Sequence, residues 1–137
     1  QLLAGKGSQI YSIGPDATVI DALRLMAEKD IGALVVVDGE RLLGIISERD
    51  YARKVILFGK SSSDMPVRDI MTSDLVTVEP ARTVDACMAL VTQRRVRHLP
   101  VLENDRLVGL VSIGDLVKET IADQEHTIQQ LESYIHS

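Results

Sequence analysis

Apolar positions along this chain fall into short runs of two kinds. Val19, Leu23 and Met26 sit at i, i+4 and i+7, the spacing that lines one face of an amphipathic helix. Ala33 to Val37 and Leu42 to Ile46 are instead nearly unbroken apolar runs on either side of Asp38-Gly39, the pattern of two strands joined by a tight turn. A shorter alternating stretch, Ile10 to Ile13, ends before Pro15 and predicts a short strand, and Ser47 to Phe58 predicts a second helix. The local order is β-α-β-β-α.

That order recurs. Moved by 65 positions, so that Asp50 falls on Asp115, the sequence matches itself without gaps. Pro15 meets Pro80, Thr18 and Val19 meet Thr83 and Val84, Leu34 meets Leu99, and Val36 meets Val101. The strongest part sets Arg41, Leu42, Gly44, Ser47 and Asp50 on Arg106, Leu107, Gly109, Ser112 and Asp115. The second copy therefore predicts a strand at Leu75 to Val78, a helix through Val84, Met88 and Val91, a hairpin around Asn104-Asp105, and a helix beginning at Ser112. Fixed-distance self-similarity is the mark of a duplicated structural unit. Units of roughly 60 residues are marginal alone, so the two copies are expected to pack together.

Three segments follow from the repeat: 1–66 as the first copy with its connector, 67–122 as the second copy, and 123–137 as a helical extension. Gly59 to Pro66 holds Gly, Ser, Asp and Pro, the composition of an exposed connector. In the extension Ile121, Ile128 and Ile135 recur every seven residues with Leu131 between them, which predicts a continued helix with an apolar seam. Such a seam either docks on a partner chain or folds back on its own module.

Composition narrows the class. The 137 residues are 45% hydrophobic and 26% charged, a globular balance. Aromatics are 3% with no Trp, so the core must be aliphatic. A net charge of −5 without a Lys/Arg run argues against nucleic acid as a partner. Apolar stretches such as Ala33 to Val37 fall far short of the roughly 20 residues that span a bilayer, so no membrane partner is expected. The single cysteine, Cys87, cannot form an intrachain disulfide, and no signal peptide is visible in a chain that starts at Gln1. A reducing cytoplasm is the expected compartment.

Candidate chemistry sits where a strand turns into a helix: Gly44-Ile-Ile-Ser47-Glu-Arg-Asp50 and Gly109-Leu-Val-Ser112-Ile-Gly-Asp115. A Ser with an acid three residues on is a capping-box arrangement, the hydroxyl accepting from a free N–H of the first turn. Each pair is thus fully accounted for as a helix cap. A helix N-terminus also attracts anions through its free N–H groups and dipole, so a phosphate near Ser47 or Ser112 is the competing reading. Two matched copies favour it.

With Val67-Arg-Asp-Ile-Met71-Thr72 and Arg97-His-Leu-Pro-Val101, these motifs resemble a tandem CBS-domain pair, or Bateman module, over nearly the whole chain. The resemblance implies an α+β fold: two β-α-β-β-α repeats packed through their sheets with pseudo-two-fold symmetry, plus the extended C-terminal helix. It implies an adenosine-containing regulatory ligand (AMP, ADP, ATP, NAD or S-adenosylmethionine) in clefts between the repeats, no metal, and a homodimer of modules that acts on an unknown regulated protein. By resemblance, Asp50 and Asp115 take ribose hydroxyls, and Ser47 and Ser112 take phosphate or sugar. The adenine wall for Asp50 is Met71 and Thr72 with Val96, Arg97 and His98. For Asp115 it is Gly7 and Ser8 with Ile31, Gly32 and Ala33. Ordinary core or strand-entry packing explains the apolar members equally well.

Charge separates the two clefts. Arg49 and Arg53 lie beside Asp50, and Arg94, Arg95 and Arg97 belong to the wall expected to face it. The counterpart Ser112-Ile-Gly-Asp115 has no equivalent of Arg49. The Asp50 cleft is therefore expected to take the more highly phosphorylated ligand, and the Asp115 cleft a nucleoside or monophosphate; solvated Arg side chains serving only solubility are the alternative.

No nucleophile with a base, paired catalytic carboxylates, metal-ligand cluster, Walker A loop or dinucleotide fingerprint is evident, so no enzymatic activity is expected. His98 has no ligand-spaced partner, and Cys87 aligns with Ala22 on an apolar helix face. The sequence thus predicts a ligand sensor. A ligand-free dimerisation scaffold would keep the same fold and use the Ser-Asp pairs only as caps. A module cut from a larger enzyme or transporter is a third reading, which a near-complete match ending in a polar helix does not favour.

Overall fold

The computed structural model describes residues 10–57, 59 and 64–136. They divide into two compact units, with the boundary between Leu75 and Val76. In the first, β1 (Ser12–Ile13), α1 (Val19–Lys29), β2 (Ala33–Asp38) and β3 (Arg41–Ser47) are followed by a short α2 (Glu48–Tyr51), a π-helical turn (Ala52–Ile56) and a 3₁₀ turn (Val67–Asp69). In the second, α3 (Val84–Arg94), β4 (His98–Glu103), β5 (Arg106–Ser112) and a long α4 (Ile113–His136) repeat the order. This is the predicted mixed α+β architecture.

The helix-hairpin core of each unit forms for the reasons its sequence supplies. Thr18 and Thr83 cap α1 and α3, each hydroxyl accepting from the N–H three residues on. Both helices stop at a left-handed residue, Asp30 and Arg95. The two antiparallel hairpins share one register, Ala33 opposite Ser47 and His98 opposite Ser112, and a bulge at the same place. Gly39 turns the first hairpin at positive φ, and Asn104 and Asp105 are both left-handed in the second, as a tight two-residue turn demands. Val19, Ala22, Met26, Leu34, Val36 and Ile46 close the first core, and Val84, Cys87, Val91, Leu99, Val101 and Leu116 the second. Every one of these core residues is aliphatic or small.

The structure departs from the predicted repeat in four places. β1 pairs parallel with β2, whereas the strand expected at Leu75 to Val78 shrinks to a single bridge between Val78 and Val101. In the first unit the Val35 N–H donates to the Tyr11 carbonyl; Pro100 holds the equivalent position and has no N–H to give. The helix expected over Ser47 to Phe58 is α-helical for one turn and then widens, the Leu57 N–H reaching back five residues to Ala52; Phe58 lies outside the described residues. The expected connector is not wholly free, because Met65 accepts from the Val19 N–H and Pro66 bridges Thr18. Finally, Val67 and Ile70 are buried in the first core, so the first compact unit runs on to Leu75.

Candidate functional site

Each repeat builds one polar corner at the end of its second hairpin strand. In the first, Ser47 ends β3 in extended conformation and caps α2. Its Oγ accepts from the Asp50 N–H (3.1 Å) and donates to Asp50 Oδ2 (3.0 Å), while its own N–H donates to the same oxygen (3.0 Å). The second corner repeats the reciprocal pair, Asp115 N–H to Ser112 Oγ at 3.0 Å and Ser112 N–H to Asp115 Oδ2 at 2.9 Å. Both Ser-Asp motifs are therefore complete capping boxes.

The corners differ beyond that shared frame. Asp50 Oδ1 accepts from Thr72 Oγ1 at 3.1 Å and stands 3.4 Å from Lys54 Nζ. Lys54 in turn donates to the Ile70 carbonyl at 2.9 Å. Thr72 reaches Asp50 because residue 72 is stitched onto β3: Ile45 N–H donates to the Thr72 carbonyl and Thr72 N–H to the Ile45 carbonyl. Gly44 makes that approach possible, since a Cβ there would lie 2.7 Å from the Thr72 carbonyl oxygen and 3.0 Å from Met71 Sδ. Among the described residues Asp115 has no counterpart of Thr72 or Lys54; the position four residues on is Glu119. A carboxylate has about four acceptor positions. Asp50 has most of them engaged and is 14% exposed, whereas Asp115 is exposed with one oxygen engaged.

The walls predicted by sequence are placed as follows. Ile31, Gly32 and Ala33 lie beside Ser47 in its own repeat: Ala33 faces Ser47 across the hairpin, and the Gly32 carbonyl accepts from the Glu48 N–H at 3.0 Å. Val96, Arg97 and His98 lie likewise beside Ser112, with His98 opposite it and the Arg97 carbonyl accepting from the Ile113 N–H at 2.9 Å. Each of these triplets thus adjoins the Ser-Asp pair of its own repeat, and Thr72 adjoins Asp50. Arg53 and Arg97 are exposed, and Arg49 is exposed at the start of α2. Gly7 and Ser8 lie outside the described residues.

Two contributors escape sequence reasoning. Lys54, one helical turn beyond Asp50, was legible as an i, i+4 acid-base pair. Gly44 was visible as a repeated residue, but its role in admitting Met71 and Thr72 is a tertiary fact. Among the described residues no group of His, Cys, Asp and Glu could hold a metal ion, and no helix is long and apolar enough to cross a membrane. The Cys87 thiol is buried in the second core, where desolvation pushes its pKa up, opposed by the positive charge of Arg82.

Comparison with known proteins agrees with this frame. The CBS domain model matches twice, at 7–56 and 67–121. The chain belongs to the CBS domain family and is a tandem pair of its repeats. It is 44% identical over 125 residues to the mitochondrial CBS domain-containing protein CBSX3 of Arabidopsis thaliana, covering 88% of this chain but 61% of that protein. It is 29% identical to YhcV of Bacillus subtilis, covering 85% of this chain and 83% of that one. Among solved structures, a CBS-domain protein from Burkholderia ambifaria is 56% identical with a TM-score of 0.82, covering 86% and 87% of the two chains. A hexameric CBS-CP12 protein from bloom-forming cyanobacteria is 34% identical with a TM-score of 0.73, covering 80% of this chain and 64% of that one.

Proposed function

We propose that this chain is a regulatory module that binds an adenine nucleotide (AMP, ADP, ATP or NAD) at its Ser-Asp corners and transmits occupancy to a regulated protein, with no catalytic chemistry of its own. The observation that carries the reading is the matched geometry of Ser47-Asp50 and Ser112-Asp115, a carboxylate fixed at a helix start in both repeats. A carboxylate is the natural acceptor for vicinal ribose hydroxyls, and α4 offers its N-terminal dipole to a phosphate. Ile31 and Val96, half-buried beside the corners of their own repeats, supply apolar surface for an adenine ring. The Burkholderia relative is described as a candidate signal-transduction protein, which suits such a role. A lone buried cysteine suits a reducing cytoplasm.

The corners are proposed to differ in ligand. Lys54 adds to the positive charge of Arg49 and Arg53 around Asp50, favouring a di- or triphosphate. Asp115 has Lys118 three residues on but makes no ion pair with it, and suits a nucleoside or monophosphate. A ligand-free scaffold is the second reading, and one observation favours it: both Ser-Asp pairs are already satisfied as caps. Thermal unfolding with AMP, ADP, ATP, NAD and S-adenosylmethionine separates the two. A ligand at 100 times its dissociation constant stabilises the folded state by about 2.7 kcal/mol, so a sensor shows a raised Tm with at least one of the five. A scaffold shows none.

A further inference from the structure

The Asp50 carboxylate is fully engaged by its own chain. A carboxylate offers about four acceptor positions. Oδ2 accepts from the Ser47 N–H and the Ser47 hydroxyl, both at 3.0 Å, while Oδ1 accepts from Thr72 Oγ1 at 3.1 Å and faces Lys54 Nζ at 3.4 Å. A ribose hydroxyl can therefore donate to Asp50 only when one of these donors gives way. Ser47 is fixed as the cap of α2, and Thr72 is bonded to Ile45 in both directions. Of the four donors, only that of Lys54 stands on a long flexible stem, with its side chain 43% exposed. Its other contact is the Ile70 carbonyl, at 2.9 Å, so Lys54 ties Asp50 to the segment that carries Thr72. It rides on the π-helical turn Ala52–Ile56, and turns of this kind are frequent at functional sites.

We infer that Lys54 is a charge-operated latch on the Asp50 corner, closed on Asp50 and the Ile70 carbonyl as described and opened by the phosphates of an arriving nucleotide. The inference rests on the nucleotide reading and gives it a means of selecting charge. An uncharged nucleoside that displaces Lys54 from Asp50 leaves the ammonium without a counter-charge. A di- or triphosphate supplies one, in the strong, charge-assisted class of hydrogen bond. The freed position on Oδ1 then takes a ribose hydroxyl while Thr72 keeps its bond. Opening also releases the Ile70 carbonyl, whose peptide unit is otherwise pinned on both sides, because the Met71 N–H donates to the Val67 carbonyl at 3.0 Å. Occupancy of the corner is thereby passed to residues 70–72.

The test compares the full chain with its Lys54→Met variant, both carrying Asp115→Asn so that the Asp50 corner alone reports. Methionine keeps an unbranched stem and removes the charge. In calorimetric titration Lys54→Met is expected to bind adenosine about three- to fivefold more tightly, the size of effect of a partly exposed ion pair, and ATP more weakly. Adenosine affinity that is unchanged or lower overturns the latch, because Lys54 is then only an attractive charge or a structural support. Amide hydrogen exchange reads the closed latch without ligand: the Met71 amide should exchange faster in Lys54→Met than in the parent, and ATP should speed it in the parent. Equal Met71 exchange in the two proteins overturns the proposal as well. Binding of ATP with unchanged adenosine affinity sinks the latch alone, whereas no binding of either ligand by either protein sinks the nucleotide reading and the ligand-opened latch with it.

Discussion

Thr72 Oγ1 donates to Asp50 Oδ1 at 3.1 Å, across a sequence separation of 22 residues. The bond means that the Asp50 carboxylate is oriented before any ligand arrives: Ser47 holds one oxygen and Thr72 the other. Thr72→Val keeps the shape of the side chain and removes the donor. A net hydrogen bond is worth about 1 kcal/mol, so nucleotide affinity at the Asp50 corner should fall roughly fivefold. Calorimetric titration of wild type and variant checks this; affinity at the Asp115 corner should not move.

Gly44→Ala tests how that wall is held. The added methyl would meet the Thr72 carbonyl oxygen at 2.7 Å, a backbone atom bonded into β3. Relief requires residue 72 to move off the strand and the Met71 side chain to shift. Overpacking of this kind typically costs about 1–3 kcal/mol, and chemical denaturation should show a loss of that size. An unchanged midpoint would mean that the close approach is not retained in solution.

Arg95→Gly should stabilise the fold. Arg95 ends α3 at φ 53°, a left-handed conformation that costs a residue with a Cβ about 1–2 kcal/mol. Glycine removes that cost but loses about 0.5–1 kcal/mol of unfolded-chain entropy. The expected net gain is therefore about 0.5 kcal/mol, read as a small rise in Tm.

Cys87 should resist thiol reagents in the native state and react on unfolding, because burial raises its pKa and closes access. The sign of the pH effect follows. The folded state holds the thiol proton to higher pH than the unfolded chain does, so the contribution of this group is fully present below the ordinary thiol pKa. It is lost as pH rises through the raised folded value. Cys87→Ala should flatten that alkaline loss, measured by denaturation across the alkaline range.

The duplication and the helix-hairpin order were legible because hydrophobic period reports burial directly, and Val19, Met26, Leu34 and Ile46 are buried where the pattern places them. The Ser-Asp caps were legible because capping is local chemistry. Other features depend on distant groups. The strand at Leu75 to Val78 is reduced by Pro100, twenty-odd residues away, and the close approach of Met71 and Thr72 turns on one missing Cβ at Gly44. The π-helical turn after Tyr51 has no sequence mark of its own; Lys54 within it reaches both Asp50 and the Ile70 carbonyl. The adjacency of Ala33 to Ser47 and of His98 to Ser112 follows from the hairpin register, which the sequence pattern of each hairpin does not by itself specify.

The central claim is that the two carboxylates hold a nucleotide and are not helix caps alone. Asn in place of Asp keeps an acceptor for the Ser N–H and removes the charge, so Asp50→Asn with Asp115→Asn separates the two roles. The decisive measurement is calorimetric titration of wild type and this double variant with AMP, ADP, ATP and NAD. The account predicts binding of at least one nucleotide by wild type and a loss of tenfold or more in the variant, with Tm changed little in the absence of ligand. Equal affinity in the two proteins, or no binding by either, would contradict it.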